Sequence, residues 1–90
     1  MPKRIDKSHP SYLDQLGARE GLSVAKELYR ENPKAFDESH QLTVAEYQFL
    51  LKWATDRLHK TGELPRNLTT ERFGAFEHSF YSTLRHEGML

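Results

Sequence analysis

Apolar residues recur at helical spacing along this chain, and the pattern is punctuated by Pro10, Gly17, Gly21, Pro33, Gly62, Pro65 and Gly88. Proline and glycine break regular structure, so these positions divide the sequence into helix-length pieces. The clearest piece runs from Val44 to Lys60. Val44, Tyr47, Leu51, Ala54 and Leu58 follow one another at 3-4-3-4 spacing and form one apolar stripe. Thr43 and Glu46 make a capping box, in which each side chain satisfies a backbone N–H at the helix start. Arg57, His59 and Lys60 fill the last turn, where positive charge meets the negative end of the helix dipole. Gly62 is placed to adopt the left-handed conformation that ends a helix.

A second helix is predicted over 71–86. Thr69 or Thr70 caps it, Glu71 complements its first turn, and Arg85 and His86 complement its last. Phe73, Phe76, Phe80 and Leu84 share one face, with Tyr81 beside them and Gly88 as a stop. That face is expected to pack on Tyr47, Leu51, Ala54 and Leu58.

The first third reads differently. Ser11 and Asp14 can start a helix containing Leu13 and Leu16, but an uninterrupted helix sets Glu20 in the middle of the face made by Leu13, Leu16 and Val24. Each interior glycine also costs about 1 kcal/mol relative to alanine. A break is therefore expected near Gly17–Gly21, with a second piece from Leu22 to Arg30 that Pro33 terminates. Runs of β-branched residues are absent. The fold class is all-α: a small bundle of three to four short helices, with residues 1–9 as a flexible basic tail and 10–90 as a single helical domain.

Composition narrows the functions open to such a bundle. The 90 residues contain thirteen Lys and Arg against thirteen Asp and Glu, so bulk attraction to nucleic acid is not expected. The offsets along the chain are small, with residues 14–46 carrying seven acids against four bases. No cysteine is present, which removes disulfides, thiolate chemistry and Cys-based zinc sites. No apolar run approaches a membrane span, and the basic start is not followed by an apolar stretch, so a cytoplasmic location is expected.

Candidate chemistry is sparse. Among the five histidines, His78 and His86 are eight apart, too far to share a metal on one helix. Asp37-x-x-His40 and Asp56-x-x-His59 repeat a spacing, but Asp56 and His59 lie away from the apolar stripe and are expected to face water. Serines 8, 11, 23, 39, 79 and 82 read as caps or solvent-facing positions, and no G-x-S-x-G turn accompanies them. Glu77 flanks the phenylalanine face without a base or nucleophile in evident reach. Gly17-x-x-x-Gly21 lacks the Lys-Ser/Thr continuation of a phosphate loop and reads as a helix break or a close-packing point. No catalytic residue, metal or cofactor is implied.

Two surfaces remain. The helices 44–60 and 71–86 resemble a helix-turn-helix in outline, with Lys3, Arg4 and Lys7 as a basic arm, which makes a small DNA-binding regulator the alternative reading. Its connection is longer than that motif's turn, and the second helix offers only Arg72, His78, Ser79, Ser82 and Arg85 to bases. The more informative feature is Phe49 and Trp53. At 100° per residue they fall opposite Tyr47, Leu51 and Leu58, and four residues apart they touch. Either helix 44–60 is sandwiched between two layers, or Phe49 and Trp53 form an aromatic anchor flanked by Glu46, Arg57 and Lys60. The expectation is a non-enzymatic regulatory or interaction module whose partner is another protein or a second copy of the chain, most simply a homodimer.

Overall fold

The structure is a computed structural model that describes residues 6–39 and 41–90. Its first element is a single uninterrupted helix, α1, Pro10–Glu31. His9 caps it: the ring Nδ1 accepts from the Ser11 N–H at 3.1 Å, and Pro10 fills the first helical position without wasting a donor. The helix ends at Asn32, ahead of Pro33.

The expected break at Gly17–Gly21 is thus overturned, and the reason is tertiary. A Cβ at Gly17 would lie 2.4 Å from the carbonyl oxygen of Phe76 and 3.0 Å from Ser79 Cβ. One at Gly21 would lie 3.2 Å from the Phe80 carbonyl oxygen. The two glycines mark the line on which the backbone of a third helix presses against α1. Their helix-propensity cost is offset by the packing that only a missing side chain permits.

A twelve-residue connection, 32–43, follows α1. It contains one 3-10 turn, Pro33–Ala35, and an isolated antiparallel bridge between Phe36 and Leu42. The Asp37 carboxylate closes it by accepting from the backbone N–H groups of Ser39 and Gln41 at 2.8 and 3.0 Å. The Leu42 N–H donates to the Met89 carbonyl at 2.7 Å, which pins the C-terminal residues to this loop.

Helix α2 spans Val44–Thr61 and helix α3 spans Thr70–His86. Thr43 Oγ1 accepts from the Glu46 N–H, and Thr69 Oγ1 accepts from the Arg72 N–H, so both start on the residues that the caps predict. Gly62 ends α2 at φ 79°, in the left-handed region. Helix α2 runs antiparallel to its neighbours. Its end meets the start of α1, where Tyr12 Oη donates to the Glu63 carbonyl at 2.7 Å. Its start meets the end of α3, where the Tyr47 ring lies 6.2 Å from Phe80 and 5.7 Å from Tyr81. The described residues form an all-α, up-down-up bundle of three helices.

The core collects Leu13, Leu16 and Val24 from α1, Leu50, Ala54 and Leu58 from α2, and Phe76, Phe80 and Leu84 from α3, with Leu64 closing one end. Two corrections to the expected packing follow. The buried stripe of α2 is rotated by about 40° from the 44-47-51-54-58 line. Leu50 is fully buried, Tyr47 and Leu51 are half-buried, and Val44 is 75% exposed. The close backbone neighbour of α3 is α1, not α2. With α1 and α3 in near-contact through the glycines, α2 rests over the groove between them and turns Leu50, Ala54 and Leu58 into it.

Residues 1–5 of the expected tail lie outside the described residues. The following turn is hydrogen-bonded: Ser8 donates to the Asp6 carboxylate, Lys7 Nζ donates to the Gly62 carbonyl at 3.0 Å, and Arg72 donates to the Ser8 carbonyl at 2.8 Å. Ser8 as donor to Asp6 is also the main reason that the Asp6 carboxyl is held below the usual carboxylate range.

Candidate functional site: the aromatic flank of α2

Glu20 sits in the apolar face of α1 where an uninterrupted helix must place it, and it is 8% exposed. A buried carboxylate needs a partner. Arg57 supplies it from α2, donating from Nη2 to Glu20 Oε2 at 3.0 Å and from Nη1 to Glu27 Oε2 at 3.3 Å. The other Glu20 oxygen faces Arg19 at 3.5 Å, and Arg19 in turn donates to the Glu63 carboxylate. The result is an alternating chain, Glu63, Arg19, Glu20, Arg57, Glu27, that ties α1 to both ends of the last turns of α2. The hydrogen bond to Glu20 is the main reason that the Arg57 guanidinium is held above its ordinary pKa. For Arg19, the hydrogen bond to Glu63 acts in the same direction.

This network overlaps the aromatic pair. The Arg57 guanidinium lies 5.5 Å from the centroid of the Trp53 ring, a cation–π contact. Trp53 is half-buried and packs on the core, whereas Phe49, one turn earlier, is 59% exposed. Of the five residues predicted for a contact surface, Phe49 and Lys60 are exposed and Glu46 is half-buried on the same flank. Trp53 is shared between core and flank. Arg57 is not a free rim cation, because its donors are directed at Glu20 and Glu27.

The two open readings are thereby divided between neighbouring residues. No second layer covers Phe49 among the described residues, so α2 is not sandwiched there. What sequence reasoning missed is the Glu20–Arg57 pair. Its signal was present, since a lone carboxylate within an apolar face requires a cation from elsewhere in the fold. Without that distant cation in view, the same carboxylate argues for a helix break.

Other candidate positions resolve simply. Asp56 is exposed and His59 is half-buried. His40 lies outside the described residues. Ser79 is buried rather than solvent-facing, and its hydroxyl donates to the Asp14 carbonyl across the α1–α3 contact. Glu77 is exposed. Among the described residues no three His, Asp or Glu side chains are grouped to hold a metal ion, and no helix is long and apolar enough to cross a membrane. The groove beside Asp14, His78, Ser82 and His86 and that beside Lys7, Asn67, Thr69 and Arg72 are both open to solvent. Lys3 and Arg4 of the suggested basic arm lie outside the described residues, and Lys7 is bonded to the α2 C-terminus. Helices α2 and α3 are joined by the eight residues 62–69, in place of the short turn of a helix-turn-helix.

The chain matches no protein-family model, and neither a curated protein nor a solved structure matches it significantly.

Proposed function

We propose that this protein is a non-enzymatic interaction module, and that it docks another protein chain on the flank of α2 centred on Phe49 and Trp53. The observation that carries this reading is the 59% exposure of Phe49 on a well-capped helix, one turn from a Trp53 that packs on the core. Leaving such a ring in water forfeits a burial term of about 2 kcal/mol, which a docked chain recovers. The site is also rigid. Trp53 is held between the core and Arg57, and Arg57 is held by two carboxylates, so little side-chain freedom remains to be lost on binding. Aromatic anchors held in place and bordered by charge are the usual carriers of binding energy at protein interfaces.

The reading is tested in living cells with a photo-crosslinking benzophenone amino acid at position 49, compared with the same group at Glu77 on the exposed side of α3. A discrete adduct at position 49 and none at position 77 is the expected result. If irradiation at position 49 yields no adduct, the α2 flank is not a docking surface.

A further inference from the structure

The exposed flank of α2 is self-complementary about one point. Glu46, Phe49, Trp53 and Lys60 fall within about 60° of one another around the helix, at the 3-4-7 spacing of a coiled-coil seam. Trp53 is at the centre. Glu46 and Lys60 each lie seven residues from it, two turns or about 10 Å along the axis, on opposite sides and with opposite charge. A two-fold axis through Trp53, perpendicular to the helix, brings every residue 53−n of one chain beside residue 53+n of the other.

From this symmetry we infer that the partner is a second copy of this chain, docked as an antiparallel α2–α2 pair with Trp53 at the dyad. The inference rests on the α2 flank being a docking surface, as proposed above. In this register Glu46 faces Lys60 of the second copy, and the symmetry repeats that ion pair on the other side. Phe49 faces position 57 of the second copy, where a guanidinium already lies over an indole, so the exposed ring meets a prebuilt stack. Lys52 and Asp56 share the outer edge of the seam, and the same axis sets each near the other's counterpart. A parallel pairing is disfavoured on electrostatic grounds. It would place Glu46 against Glu46 and Lys60 against Lys60, and would align the two helix dipoles head to head. The opposite signs at equal distances are what select the antiparallel, isologous arrangement.

The test is sedimentation equilibrium of the full chain over a wide concentration range, with circular dichroism to confirm that each variant is folded. Wild type is expected to dimerise, and Phe49→Lys, which removes the ring and sets a cation against Arg57 of the second copy, is expected to give a folded monomer. Glu46→Lys and Lys60→Glu each replace two attractive contacts by repulsive ones and are expected to weaken the dimer about tenfold. The double variant Glu46→Lys with Lys60→Glu restores both pairs in reversed sense, and dimerisation is expected to return. A dimer that ignores the single reversals, or is not rescued by the double one, overturns the register. A wild type that remains monomeric overturns the self-pairing. In that case an adduct at position 49 to a different protein would leave the α2 docking surface standing, whereas no adduct would remove both.

Discussion

Gly17 and Gly74 are both interior helical glycines, and the structure predicts opposite outcomes when each is replaced by alanine. In either helix the substitution gains about 1 kcal/mol of intrinsic propensity, because alanine loses less backbone freedom on folding. At Gly74 an added Cβ has no heavy atom within 4 Å, so that gain is not opposed. At Gly17 the added Cβ lies 2.4 Å from the Phe76 carbonyl oxygen, against 3.4 Å for ordinary contact. The obstacle is backbone, which cannot rotate aside, so α1 and α3 must separate locally by about 1 Å. That separation also lengthens the Ser79 hydroxyl bond to the Asp14 carbonyl and loosens Phe76 and Phe80, which are fully buried beneath the crossing. Overpacking of this kind costs about 1–3 kcal/mol, and at a backbone contact the upper part of that range applies. Gly17→Ala is therefore expected to lose about 1–2 kcal/mol net, while Gly74→Ala gains up to about 1 kcal/mol. For a domain of this size 1 kcal/mol moves the melting temperature by roughly 4–8 °C. Differential scanning calorimetry of the two variants should show shifts of opposite sign. A Gly17→Ala protein that melts at or above wild type would refute the close α1–α3 crossing, and with it the continuous first helix.

Two further predictions concern the groups that α2 brings to the interface with its neighbours. Arg57→Ala leaves the Glu20 carboxylate buried with only the longer contact to Arg19. Because the Arg57 side chain is 36% exposed, the expected loss is about 1–3 kcal/mol, below that of a fully buried pair, and urea denaturation measures it. Adding Glu20→Leu to Arg57→Ala should recover most of it, and an Arg57→Ala curve that overlays wild type would contradict the pairing. Burial first, then the charges of Glu77 and Tyr81, push the Tyr47 hydroxyl from its ordinary value near 10 up to about 12. A raised folded value means that this contribution is complete below pH 10 and is lost as pH rises from 10 through about 12. Tyr47→Phe is expected to lose less stability than wild type over that window in pH-dependent melts, with a residual slope from Tyr12, whose hydroxyl is raised in the same direction by burial. Parallel slopes for the two proteins would refute the assignment.

The local rules of the chain were sufficient for its last two helices. The capping threonines, the left-handed Gly62 and the terminal charges of α2 and α3 act within a turn or two of sequence, so their effect does not depend on what lies across the bundle. The all-α class follows from the same local periodicities, whereas they leave open whether Phe49 is covered by a second layer, and only the packing of the three helices exposes it. The first helix was a different problem. Its two glycines and its buried glutamate each contradict a helix locally, and each is explained only by a residue far away in sequence: Phe76 and Phe80 for the glycines, Arg57 for Glu20. The rotation of α2 that buries Leu50 and exposes Val44, and the diversion of Arg57 from the rim to Glu20, arise in the same way. Periodicity defines the faces of a helix, but which neighbour approaches closely, and which charge can reach another, is decided only when the three helices share one core.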